Sequence, residues 1–450
     1  LKEVPVKTSI ARFVVFAAAA LAAGAAGLPA GATPAGDVAA SRNSPQTRYR
    51  VTNLPGLGGT SSTGNSLNNR GWAAGFSNLP GDGTTHATLW RGGHALDLDT
   101  LGGPNSNVAW PVKNNRGLIS GIAETAATDP LGENWSCSAF FPTVTHHTCL
   151  GFVWEGGTMR SLPTFGGGNG FATGTNNRGQ VVGWAENTVH DPTCVAPQVL
   201  QFRAALWGPG RNQLQELPPL AGDSVSSATA INDRGQVVGI SGICDRAVGR
   251  FSAIHAVLWE NGRATSLGDL GQQAWNTAMA INQRGDVVGF ANVAGGATPG
   301  SFRAHAFLWT RHDGIRDLGT LPGDVLSEAL GINERGQVVG TSCTAGFASC
   351  RAFLWEDGVM TDLNTLVAAG YSGSLLFAND INDLGEITGG AFDAGSGESP
   401  AFLATPGSGH DRNAASAATR AGGDSSAQII LPEEARQTLL RRLGLGGRED

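Results

Sequence analysis

Carboxylates, histidines and cysteines are the residues of this chain that could do chemistry, and none of them stands in a spacing that fixes a reaction. The sequence holds no Gly-x-Ser-x-Gly, no Walker A loop and no kinase set. Gly166-Gly-Gly-Asn-Gly170 is glycine-rich, but it lies between predicted strands and not ahead of a helix, which argues against phosphate binding. His146, His147 and Cys149 cluster, as do His190 and Cys194, yet neither group matches the H-E-x-x-H or paired C-x-x-C patterns of zinc. Glycoside hydrolysis needs two carboxylates about 5 Å or about 6.5–9.5 Å apart, a distance that sequence does not show. No catalytic residue, metal or cofactor is therefore expected.

Three residue sets point to binding. The first is a series of arginines, Arg70, Arg116, Arg178, Arg234, Arg284 and Arg335, each third in an Asn-x-x-Gly turn, with Leu384 in the seventh. On one face they would form a positive ring that attracts anions; the competing reading is that turn tips are solvated and tolerate arginine. The second is a column four residues before a repeated tryptophan: His86, Arg203, His255, His305 and Arg351. It reads as a blade-to-blade hydrogen-bonding or stacking position multiplied by duplication, in preference to a ligand-lining or pH-sensing site. The third is Trp135 and Trp184, expected as exposed aromatics on the long inserts.

The elements that must carry these residues are repeats. Asn-x-x-Gly-x-x-x-Gly recurs at Asn68, Asn114, Asn176, Asn232, Asn282, Asn333 and Asn382, in steps of 46, 62, 56, 50, 51 and 49 residues. Asn first and Gly fourth is a type I turn signature, and the short β-branched runs on either side, such as Gln236-Val-Val-Gly239, read as strands. A second hairpin follows each Leu-Trp or its variant, at Trp90, Trp154, Trp207, Trp259, Trp309 and Trp355, through turns such as Glu260-Asn-Gly262. Each unit of about 50 residues thus supplies four strands, and seven such units predict a seven-bladed β-propeller. The array opens with an outer-type strand, Tyr49–Leu54, and its last unit stops at the third strand, Ala401–Leu403. The N-terminal strand is therefore expected to close the ring.

Composition agrees. Glycine is 66 of 450 residues and charged residues are 15%, against roughly 7% and 25% in ordinary domains, which suits many short strands and tight turns. A net charge of −7 gives no basic footprint for nucleic acid. Lys2, Lys7 and Arg12 precede an apolar run from Phe13 to Ala26 and an Ala30-Gly31-Ala32 cleavage site, the layout of a secretory signal peptide. The expected organisation is signal peptide 1–32, leader 33–48, propeller 49–404, linker 405–428, and a short helix or frayed tail over 429–450. No membrane span is expected after cleavage, and a monomer is expected. Six cysteines in an exported chain allow disulfides. Five fall inside the variable segments between the second and third strands and Cys350 ends one. This placement predicts Cys137–Cys149, Cys194–Cys244 and Cys343–Cys350, out of fifteen possible pairings.

The motifs His305-Ala-Phe-Leu-Trp309, Asp317-Leu-Gly-Thr-Leu-Pro-Gly323 and Gly331-Ile-Asn-Glu-Arg-Gly-Gln-Val-Val-Gly340 resemble those of the HAF-repeat family of extracellular repeat proteins. The resemblance covers residues 49–404. Its weakest units are the second, where Lys113 precedes the turn Asn and Trp110 fills the usual Ala slot, and the seventh, which lacks the Trp. It implies export and repetition but no activity. The expectation is a secreted, non-enzymatic module that binds a glycan or protein through its long inserts. The alternatives are a carbohydrate-active lyase or hydrolase with an acidic central site, and a purely structural extracellular repeat protein.

Overall fold

The structure, a computed structural model, describes residues 47–133, 137, 139–209, 213–245, 249–294, 302–407, 430–431, 433 and 436. The expected signal peptide, nearly all of the leader and linker, most of the tail and Trp135 lie outside the described residues.

Seven four-stranded antiparallel sheets form the predicted ring. The fourth blade is typical: Val225–Ile231 innermost, then Val237–Gly242, His255–Glu260 and Arg263–Ser266 at the rim. Every residue of its inner strand is buried, because neighbouring blades cover both faces. Small and β-branched residues suit such a strand. The rim strand Arg263–Ser266 is mostly exposed.

Both glycines of the repeat are set by backbone geometry. The first, as at Gly235 with φ +80°, is left-handed and completes the turn. The second packs under a bulge in the inner strand, where the register shifts between Ala228 and Ala230. A Cβ on Gly239 would overlap the carbonyl oxygen of Ser227, and Gly75, Gly183 and Gly340 meet Thr63, Phe171 and Glu328 in the same way.

The repeated serine joins blades. Ser226 Oγ accepts the N–H of Ala204 at 3.0 Å and donates to the carbonyl of Leu217 at 3.0 Å, both in the preceding blade. Ser106 and Ser327 make the same two bonds. The ring closes as expected: Tyr49–Asn53 pairs antiparallel with Ala401–Pro406, as the fourth strand of the seventh blade. That last strand runs to Pro406, two residues past the predicted limit.

The second blade departs from the pattern. Its inner strand ends at Asn107, and Pro111 has no N–H to continue it. First-blade side chains take over: Asn65 Nδ2 donates to the carbonyl of Val108 at 2.8 Å, and Ser66 Oγ accepts the N–H of Val112 at 2.9 Å.

Candidate functional site

The hairpin turns and the inserts leave the blades at opposite ends, so the propeller has a turn face and an insert face. On the turn face, each repeat asparagine is both a local cap and a link to the next blade. Asn232 Oδ1 accepts the N–H of Arg234 at 3.0 Å, and its Nδ2 donates to the carbonyl of Asn282 at 3.0 Å. The same amide-to-carbonyl bond runs from Asn68 to Asn114, Asn176, Asn232, Asn282, Asn333, Asn382 and back to Asn68. A second closed circuit uses the next residue. The side-chain oxygens of Asn115, Asn177, Asp233, Gln283, Glu334, Asp383 and Asn69 each accept the backbone N–H of the residue one blade back. The sequence signature of the turn does not include this circuit. The signal for it is that this second position always carries a side-chain oxygen.

The six arginines do share this face, and all are exposed. They are not a purely basic ring. Carboxylates of Asp233, Glu334 and Asp383 stand in the same circle of turns, and Arg284 pairs with Asp286 at 2.7 Å. Arg70 lies over the Trp72 ring at 5.5 Å. Four members of the histidine/arginine column bond within their own blades, not between blades as expected: His86, His305, Arg203 and Arg351 pair with Asp97, Asp317, Glu216 and Asp362 on their own rim strands. The Asp97 hydrogen bond raises the His86 pKa.

The bore between the inner strands is bridged. Lys113 reaches from the second blade to the carbonyls of Ile332 at 2.6 Å and Ile381 at 3.0 Å, in the sixth and seventh. Its Nζ lies 3.0 Å from Asp380 Oδ1, a carboxylate with no exposed surface. The residue that weakened the second repeat is thus the cation that crosses the axis. A narrow pocket remains beside it, lined by Pro111, Thr175, Ile231 and Ile281.

The insert face is stapled. Its disulfides are Cys137–Cys149, Cys194–Cys244 and Cys343–Cys350, the three predicted pairs. All six cysteines are thereby oxidised, so Cys149 and Cys194 offer no thiolate to a metal. Cys194–Cys244 joins the third blade's insert to the fourth's, where the N–H of Val195 also donates to the carbonyl of Asp245 at 2.9 Å. Glu133 joins the second insert to the third by accepting from the N–H groups of Val199, at 2.7 Å, and Leu200. Three inserts thus form one slab. Leu131, Val189, Val195 and Phe251 are exposed on it by 39–50%.

Trp184 is not among them, and the expectation of an exposed aromatic there is corrected. Its side chain is 1% exposed, within an aromatic stack of Trp110, Phe140, Phe171 and Phe202. It stands on the second strand of its blade, opposite Phe171, where neighbouring elements cover it.

Beneath the slab lies a carboxylate network that the sequence did not reveal. Glu186 accepts from the Asn169 N–H at 2.8 Å and from Gln198 Nε2 at 3.0 Å, and Asn169 Nδ2 also donates to Asp129 at 2.6 Å. Gln198 Nε2 also approaches Glu133 at 3.3 Å. Burial, then the neighbouring Glu133 charge, pushes the Glu186 pKa up to about 8. Burial likewise raises Glu133 and Glu124. A carboxyl that keeps its proton at neutral pH is a chemical asset in an accessible cleft. Here Glu186 and Glu133 are at most 1% exposed, and their partners join one insert to another.

Among the described residues, no helix is long and apolar enough to cross a membrane. No family model and no curated protein matches the chain. One solved structure similar to it is dipeptidyl peptidase 4 of Porphyromonas gingivalis, at 10% identity and a TM-score of 0.30. The match covers 74% of this chain and 44% of that one, so this chain spans less than half of the peptidase's length.

Proposed function

We propose that this chain is an exported, non-enzymatic binding module of the HAF-repeat kind, which holds a glycan or protein partner on its insert face. The observation that carries the reading is the slab itself. Three inserts are cross-linked by a disulfide and buried hydrogen bonds, and their tips present apolar side chains to solvent. Rigid loops on a rigid scaffold bind without the entropic cost of ordering. The disulfides suit an oxidising compartment, in line with the signal layout at residues 1–32. The enzyme alternative asks for an open acidic centre, whereas the axial carboxylate Asp380 is buried and paired with Lys113.

The test is to incubate the protein with insoluble polysaccharides and cell-envelope fractions, and to score both retained protein and released products. Retention without products is expected. Released sugars or peptides would replace this reading with an enzymatic one.

A further inference from the structure

The sixth blade's insert carries a second feature, at the base of the same face. Cys343–Cys350 closes a loop whose two ends are only 4.1 Å apart between Cα atoms. Inside it, Ala345–Phe347 forms one 3-10 turn, with Gly346 and Phe347 left-handed at φ +64° and +56°. Left-handed backbone at a phenylalanine is costly and persists only where its surroundings impose it. Trp275 packs in the same apolar cluster and is also left-handed, at φ +52°. Phe302 lies between them, its ring 5.5 Å from Trp275 and 5.7 Å from Phe347.

This hollow has an occupant, the chain's own C-terminal segment. Leu431 is 4% exposed within the cluster, while Ile430 beside it is 78% exposed. The Leu431 N–H donates to the carbonyl of Ala348 at 2.9 Å. Arg436 Nε donates to the carbonyl of Gly346 at 3.0 Å, and its guanidinium pairs with Glu433 at 3.1 Å. One apolar anchor, one backbone bond and one arginine on a carbonyl amount to a recognition pattern. In sequence, 22 residues rich in small and polar types stand between Gly407 and Ile430. Because the segment belongs to the same chain, its docking is intramolecular, and a free peptide must compete with it.

We propose that the hollow formed by Trp275, Phe302, Phe347 and the carbonyls of Gly346 and Ala348 is a peptide-binding site, and that the segment carrying Leu431 and Arg436 is its resident ligand. The ligand class is a peptide with a buried aliphatic anchor and an arginine five residues on. A protein partner carrying such a segment binds by displacing the tail. This step rests on the insert-face reading, because it names the kind of partner that face takes.

The experiment uses full-length protein and a labelled synthetic peptide of residues 429–443, with binding read by fluorescence anisotropy. In the protein, Leu431→Asp frees the hollow, and wild-type peptide is expected to bind it at least tenfold more tightly than it binds wild-type protein, whose tail competes. Peptides carrying Leu431→Asp or Arg436→Glu are expected to lose at least tenfold in affinity. Thermal melts establish that the protein variant is folded, and Arg436→Glu in the protein serves if it is not. Equal binding of wild-type and Leu431→Asp peptides, or no binding to a folded released-tail variant, overturns the proposal. The envelope-retention assay separates the two readings. Retention without peptide binding removes this site and leaves the module; peptide binding without retention does the reverse.

Discussion

Replacing Glu186 by glutamine should change how stability depends on pH. The unfolded chain releases this proton near 4.5, whereas the folded protein keeps it up to about 8. Between those values the folded state binds the extra proton, so stability falls as pH rises. At about 1.36 kcal/mol per pH unit, the interval from 4.5 to about 8 amounts to about 5 kcal/mol lost by pH 9. Glu133 and Glu124 are raised and act in the same direction, as does His86, whose contribution disappears above its folded pKa. The lowered carboxylates, Asp82, Asp97, Asp191, Asp317 and Glu260, titrate below this window. Glu186→Gln keeps an uncharged polar side chain at a site with no exposed surface. Its amide oxygen can keep the bond from the Asn169 N–H, while its NH2 meets Gln198 Nε2, a local mismatch of about 1 kcal/mol. Urea unfolding followed by tryptophan fluorescence at pH 5 and pH 9 reads the effect. Wild type should be much less stable at pH 9, and the variant should recover about 5 kcal/mol of that loss while matching wild type at pH 5 to within about 1 kcal/mol. Parallel pH profiles for the two proteins would show that Glu186 is ionised throughout, and would refute the reasoning.

Lys113→Met strands the Asp380 carboxylate in the bore and should cost about 3–5 kcal/mol; a loss under about 1 kcal/mol in chemical denaturation would mean that the lysine is not its counter-ion. Gly239→Ala drives a methyl group against the carbonyl of Ser227 and should cost about 1–3 kcal/mol, whereas alanine at Gly262, open to solvent but left-handed, should cost about 1 kcal/mol. Replacing Cys194 and Cys244 together by serine opens a link across 50 residues, for which the chain-entropy relation gives about 4 kcal/mol. Calorimetry checks it, and an unchanged melting temperature would show that hydrogen bonds alone hold the slab.

The repeat made the architecture legible. Asn-x-x-Gly and the Trp hairpins each encode a local turn, and local turns survive in any context. The closing strand was legible because Tyr49–Asn53 resembles a rim strand that the last unit lacks. The disulfides were legible because the cysteines are confined to inserts that neighbouring blades bring together. What escaped depends on contacts between distant segments. Lys113 looked like a defect in its repeat, because its partners lie 219 and 268 residues away. The carboxylate network draws on Glu133 and Glu186 from different inserts, with no spacing to announce it. Trp184 was expected at the surface because its repeat has a long insert, but its position on the strand places it in the aromatic stack. The docking of Leu431 was not legible, since the expected short helix or frayed tail carries no record of the surface that receives it.

The central claim is that the insert face, not the ring of arginine turns, receives the partner. Hydrogen exchange on the protein retained by its envelope fraction tests this directly, with free protein as reference. Binding should slow exchange further in the peptides that carry Leu131, Val189, Val195 and Phe251, whose exposed side chains lie on the insert slab. Protection confined to Arg116, Arg178, Arg234 and Arg284, with the slab unchanged, would place the ligand on the turn face and contradict the account.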